Sequence, residues 1–190
     1  MEGSRKRPFF VHRERTFMAD RNVESHIDSI PDIDETLRAV LLAALNEARD
    51  RMENDKPVVP FTALAVKDNL FLESADADTV EECYDKARHT VQNARGASAY
   101  ALCYDGYIDT DAGTQDALIS EGGVPGQDRG YAIAYPYTAD EDGAVPTIDK
   151  DPIYIGEAPN FMIATTPYSE EELAQIEEEA ERGEGSEDAE

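Results

Sequence analysis

Between Ala97 and Thr165 the apolar residues recur at every second position, in runs at about 98–109, 115–121, 130–138 and 153–164. A period of two sends successive side chains to opposite faces of a strand, whereas the segments before and after this region repeat at three- and four-residue steps. The runs are separated by GGVPGQDRG and TADEDGAVPTIDKD, whose Gly, Pro and Asp residues mark loops. Consecutive strands joined in this way predict an antiparallel meander.

The flanking segments read as helices. In PDIDETLRAVLLAALNEARDRMEND, residues Ile33, Leu37, Val40, Leu41, Ala44, Ala48 and Met52 share one helical stripe, Asp32 and Glu35 form a cap pair, and Lys56-Pro57 ends the helix, predicted at about 33–53. In DADTVEECYDKARHTVQNARG the stripe is Val80, Cys83, Tyr84, Ala87 and Val91, with Asp78 and Glu81 as the cap pair and Gly96 as a left-handed stop. Between them VVPFTALAVKDNLFLES predicts a hairpin of Ala63–Lys67 and Leu70–Glu73 turning at Asp68-Asn69, or one bent strand. SEEELAQIEEEAERG opens with Ser169 and Glu172 as a capping box and predicts an acidic helix, followed by EGSEDAE as a disordered tail.

The resulting fold class is α+β: an antiparallel sheet of about five strands, two long helices packed mainly on one face, and a C-terminal acidic helix. The predicted organisation is a basic arm at 1–17, one domain at 18–168, and the acidic helix and tail at 169–190. A chain of 190 residues buries roughly 70% of its unfolded surface, so it needs no metal or disulfide to fold.

Parity within the strands divides the side chains by size. Ala99, Ala101 and Cys103 share one parity and Ala132 and Ala134 one parity, while Tyr100, Leu102, Tyr104 and Tyr131, Ile133, Tyr135, Tyr137 take the other. The expectation is a slim face under the helices and an aromatic face turned away from them. Tyr is suited to a surface that is apolar on one side and wet on the other, so the aromatic face is a candidate ligand or subunit surface.

The formal net charge is −25, from 42 acids and 17 bases, and the bases are 12 Arg and 5 Lys. The arm at 1–17 is net +3, the body at 18–168 net −18 and the segment 167–190 net −10. A body with that acid surplus repels phosphate backbones and anionic lipid, which excludes nucleic-acid and membrane-surface partners. The same surplus suits a salt-rich cytoplasm, where ionic strength screens self-repulsion. Two cysteines make no secreted disulfide framework, and no apolar run reaches the ~18 residues of a membrane span. Phe9, Phe10 and Val11 fall short of the ~7–15 apolar residues of a signal-peptide core, so the expected location is the cytosol.

The densest group of acids lies in YALCYDGYIDTDAGTQDALISEGG. Asp105-Gly106 predicts a bulge and Asp111-Ala112-Gly113 a turn, with Asp109, Asp111 and Asp116 as solvated turn residues. The spacing lacks the ligand positions of a calcium loop, and GGVPGQDRG lacks the Lys and the helix start of a phosphate-binding loop. Glu121 ends an apolar strand beside two glycines and is expected to pair with Arg129 across the hairpin. Cys103 and His89 form no exposed nucleophile pair, and Pro159 marks a bulge or edge in the last strand, near Glu157 and Asn160.

The absence of a convergent catalytic set points away from an enzyme. The sequence predicts a non-catalytic interaction module, with no cofactor or metal, that takes a protein partner or a second copy of itself through the Tyr-bearing face or an edge strand. Its candidate contact residues are Tyr100, Tyr104, Tyr131, Tyr135, Glu121 and Arg129. Two alternatives follow from the acids: a metal-dependent hydrolase or lyase using Asp105, Asp116 and Glu121, and an acidic decoy that mimics DNA and captures a basic protein.

Overall fold

The computed structural model describes residues 33–111, 113–138, 146–166 and 168–184. The expectations for the basic arm at 1–17 and for the tail beyond 184 lie outside the described residues.

The architecture is α+β, an antiparallel sheet with three helices. In chain order the elements are α1 (Glu35–Glu53), β1 (Phe61–Val66), β2 (Asn69–Ser74), α2 (Val80–Asn93), β3 (Ala99–Thr110), β4 (Gly113–Gly123), β5 (Gly130–Thr138), β6 (Thr147–Ile148), β7 (Ile153–Ala158) and α3 (Glu170–Glu184). The sheet order is β2-β1-β3-β4-β5, and the far side of β5 pairs with β7 along its first half and with the two-residue β6 at its end. The expected five strands become seven, because β1 and β2 are separate strands and β6 adds a short rung.

Helix boundaries are set by caps one or two residues from those predicted. Asp34, not Asp32, caps α1, its Oδ1 accepting from Leu37 N–H at 3.0 Å. Thr79 and Glu82, not Asp78 and Glu81, form the reciprocal box of α2: Thr79 Oγ1 accepts from Glu82 N–H at 3.2 Å and Glu82 Oε2 from Thr79 N–H at 3.3 Å. The α2 cap at the other end is Ala94, and Gly96 is not left-handed. Ser169 and Glu172 cap α3 reciprocally as expected, at 2.8 and 3.2 Å. The hairpin turn is Lys67-Asp68 rather than Asp68-Asn69, with Lys67 at φ 53° supplying the positive φ that tight hairpins need.

The two long helices lie on opposite faces of the sheet, which corrects the expectation of one helical layer. Leu37, Val40, Leu41, Ala44, Leu45 and Ala48 of α1 pack on Phe61, Ala63, Ala65, Ala99, Ala101, Cys103, Leu118, Ile133 and Tyr135. Each fully buried Leu of this stripe contributes about 2 kcal/mol by removal from water. On the other face, Ala87 and Val91 of α2 join Tyr100, Leu102, Tyr104, Ile108, Ile119, Ala132, Ala134, Phe161 and Met162.

The register explains why the faces are mixed rather than slim and aromatic. Ala101 pairs with Gly122, and Gly122 with Tyr131; Cys103 pairs with Ser120, and Ser120 with Ile133. Residues paired across a sheet share a face, so the alanines of β3 lie beside the tyrosines of β5, and Tyr100 and Tyr104 lie beside Ala132 and Ala134. Small and large side chains therefore complement each other across each face. The close-fitting part under α1 is made by Ala63, Ala65, Ala99 and Ala101.

Register also corrects the irregularities. The β3–β4 pairing runs without a shift from Tyr100↔Gly123 to Thr110↔Gly113, so there is no bulge at Asp105-Gly106, and the turn falls after Thr110 as predicted. The bulge instead lies between β5 and β7 at Ala132/Ile133, where Gly156 takes φ 119°. The last strand stops at Ala158, one residue before Pro159, because proline has no N–H to continue the ladder.

Candidate functional site

The most unusual polar group is Glu121. Its place in β4, paired with Leu102 and Ala132, sends the side chain to the α2 face, where it is 2% exposed. Tyr84 of α2 donates its hydroxyl to Oε1 at 2.5 Å and Tyr104 of β3 donates to Oε2 at 3.3 Å. A carboxyl group brought into the core is costly without hydrogen-bond donors, and these two phenols supply one to each oxygen. The cluster thereby ties a helix to the centre of the sheet.

Around it the rings form a connected cluster, tilted between Tyr84 and Tyr104, edge to face between Tyr84 and Phe161, and stacked between Phe161 and Tyr100. Tyr84 meets Tyr104 at 6.5 Å and Phe161 at 6.0 Å between centroids, Phe161 stacks on Tyr100 at 5.5 Å, and the Arg88 guanidinium lies 5.5 Å from the Phe161 centroid on the outer side. Tyr100 is fixed by its backbone neighbours, donating to the Pro159 carbonyl at 3.1 Å and accepting from Phe161 N–H at 3.0 Å. Asn160 holds the adjoining β4–β5 connection: its Nδ2 donates to the carbonyls of Val124 and Gln127 at 2.8 and 2.7 Å, and its Oδ1 accepts from Met162 N–H at 2.9 Å.

These contacts account for the glycines beside Glu121. A β-carbon at Gly122 would overlap the Tyr100 carbonyl oxygen, and one at Gly123 the Asn160 amide. Gly122 allows close approach of the neighbouring backbone and Gly123 leaves room for the Asn160 side chain.

The candidate residues fall into three places. Tyr100, Tyr104 and Glu121 meet on the α2 face, joined by Tyr84. Tyr131 and Tyr135 lie on the α1 face; Tyr135 donates to Asn46 Oδ1 at 3.2 Å with Arg49 over its ring at 5.0 Å, and Tyr131 packs on Tyr154. Arg129 pairs with Glu157 at 2.5 and 2.6 Å, not with Glu121. Tyr100, Tyr104 and Tyr135 are buried by the chain's own helices and by Phe161, which corrects the expectation of an open aromatic face.

The acids of the metal alternative do not converge. Asp105 and Asp116 share a parity across β3 and β4 that places them on the α1 side, where Asp105 accepts from the Tyr137 hydroxyl at 2.8 Å, while Glu121 points through the opposite face. Among the described residues no cluster of His, Cys, Asp or Glu is arranged to hold an ion. Asp109 serves the turn, accepting from Thr114 Oγ1 at 2.6 Å. Cys103 is buried under α1 and His89 is on α2, across the sheet, so they form no pair.

Burial pushes the Tyr100 phenol and the Cys103 thiol well above their ordinary values of 10.0 and 9.0, and burial together with Asp105 pushes the Tyr137 phenol up. The folded state thus keeps protons that the unfolded chain releases. Their contribution is intact below the unfolded values and is lost as pH rises above about 9 for the thiol and about 10 for the phenols, at about 1.4 kcal/mol per pH unit per group. Urea unfolding between pH 8 and pH 11 should show a falling midpoint with constant slope; a midpoint flat across that range contradicts the burial of these groups.

Among the described residues the longest run of exposed apolar side chains lies on β2, outside the candidate contact residues. Leu70, Phe71 and Leu72 are 42%, 55% and 43% exposed. Leu70 and Leu72 pair with Ala65 and Ala63 and so lie on the α1 side, and Phe71 pairs with Leu64 on the α2 side, yet neither helix extends over them. The signal was present in the sequence as three consecutive apolar residues in a short hairpin arm. The chain matches no protein-family model, no curated protein and no solved structure.

Proposed function

We propose that this chain is a non-catalytic protein-interaction module that works through the outer edge of β2, by adding an extended segment of a partner as a further strand. The observation that carries the reading is an edge strand with apolar side chains exposed on both of its faces. Soluble proteins ordinarily protect such an edge with proline, charge, a bulge or brevity. The opposite edge of this sheet has all four: Pro146, Pro152 and Pro159 flank β6 and β7, Asp149, Lys150 and Asp151 lie between them, Gly156 makes the bulge, and β6 has two residues. The β2 edge, NLFLES, has only Glu73.

The hydrogen-bond alternation assigns the open groups. The pair Val66↔Asn69 closes the hairpin, so Asn69, Phe71 and Glu73 direct their backbone groups to β1, in phase with Ala75 N–H donating to the Pro60 carbonyl at 2.8 Å. Leu70, Leu72 and Ser74 direct theirs outward.

The test uses isotope-labelled full chain and two octapeptides, one copying residues 67–74 and one alternating Lys and Val. Slowed exchange of the Leu70, Leu72 and Ser74 amides with either peptide supports the reading. Leu72→Pro, which removes an outward N–H and leaves the β1 ladder intact, should abolish the effect. No slowing with either peptide at millimolar concentration removes it. The cleft beside this edge, lined by five acids, Glu73, Asp76, Asp78, Glu82 and Asp85, against Lys86 and His89, supports the decoy as a second reading; it predicts binding of the Lys-Val peptide alone, weakened by salt and without slowing of the β2 amides.

A further inference from the structure

We infer that the occupant of the β2 edge is a second copy of this chain, paired antiparallel about a two-fold axis at Phe71; this rests on the strand-addition reading above. Only Leu70, Leu72 and Ser74 have outward backbone groups, so hydrogen bonding permits registers in which these three pair among themselves. The central one sets Leu70 against Leu72 of the second copy and Phe71 against Phe71.

The side chains select that register. Leu70-Phe71-Leu72 is symmetric about its middle residue and bounded by the polar Asn69 and Glu73, so a two-fold axis there maps apolar onto apolar at all three positions. A shift of two residues sets Phe71 against Glu73 in one direction and against Asn69 in the other. Charge does not select the orientation, because Lys67 and Asp68 stand together before the strand and Glu73 near its end; the side-chain symmetry does.

Closure follows from the other edge. An isologous pair uses the same patch on both copies, and the β6/β7 side is protected, so association ends at two chains rather than growing into a filament. The opposing term is the charge of −25 on each chain, which is long-range and screened by salt. Pairing of copies is therefore promoted by KCl, whereas capture of a basic partner is weakened by it.

Sedimentation of the full chain from about 10 µM to about 1 mM, at about 0.1 M and about 1 M KCl, should show the mass rising toward twice that of the chain, at lower concentration in high salt. Leu72→Pro and Leu72→Lys, each with an unfolding curve to confirm that it folds, should sediment as single chains throughout. Register is read by disulfide trapping: Asn69 faces Glu73 of the second copy at the close spacing of a non-hydrogen-bonded pair, about 4.5 Å between Cα atoms, within disulfide reach. An equimolar mixture of N69C and E73C chains should give the mixed disulfide well beyond the twofold excess over each homodimer that random pairing produces; the native cysteines are both buried and do not interfere. A single-chain mass at 1 mM in high salt, a dimer that survives both Leu72 variants, or a mixed disulfide no more abundant than the random twofold excess overturns the inference. If the chain stays single while the Lys-Val peptide still slows the β2 amides, strand addition stands and self-pairing falls. If neither occurs, both fall.

Discussion

Gly122→Ala lowers the unfolding free energy by about 4 kcal/mol and the melting temperature by roughly 10 °C, one of two large effects expected at the centre of the sheet. The added methyl would overlap the carbonyl oxygen of Tyr100, a rigid backbone group in the adjoining strand, and would also crowd the Ala101 Cα at 3.0 Å. Relief requires β3 and β4 to separate where Ala101 pairs with Gly122. Gly106→Ala in the same pair of strands is the control. Its methyl would meet the Ile119 Cδ1 at 3.2 Å, the end of a side chain that can rotate, and the Tyr104 ring at an ordinary contact distance of 3.5 Å, so it should cost less than about 1.5 kcal/mol. Equal melting temperatures for the two variants would show that the strands are not as close as described.

Glu121→Ala is the second large effect, with a loss of about 3–5 kcal/mol in denaturant unfolding. The substitution removes the acceptor of both Tyr84 and Tyr104 and leaves a cavity under α2. Glu121→Gln keeps the volume and one carbonyl oxygen and should lose about 1–2 kcal/mol. Tyr104→Phe and Tyr84→Phe each remove one donor. In double-mutant cycles with Glu121→Leu each should couple by at least about 1 kcal/mol, since an apolar pair leaves neither partner stranded. Coupling near zero for both phenols would mean that Glu121 is satisfied elsewhere and does not fasten α2.

The legible part of this fold was the part written in local periodicity. The apolar stripe of α1, the stripe of α2, the Ser169/Glu172 cap and the strands around Tyr104 and Tyr135 follow from the chain's immediate neighbourhood, and they are where the pattern placed them. The assignment of faces was not legible, because parity within one strand says nothing of which parity in the next strand shares its side. That depends on the exact register: Thr110↔Gly113 fixes one pairing and Gly122↔Tyr131 the next, and a change of one residue in either would have produced the slim and aromatic faces expected. The same gap hid the Glu121 cluster. Tyr84 was visible as one residue of a helical stripe, but its hydroxyl finds Glu121 only because α2 crosses the face on which Tyr104 also stands. The partner of Arg129 was likewise non-local, a residue of β7 rather than of the adjoining β4.

The sheet also acts as a partition. With one helix on each side, the interior is two compartments that touch only through the backbone of the strands, one closed by α1 and the other by α2 and the Asn160–Thr165 turn. A volume change beneath Leu41 has no means of being absorbed beside Phe161, so the two compartments can drift in sequence separately, each constrained only by the fit within its own walls.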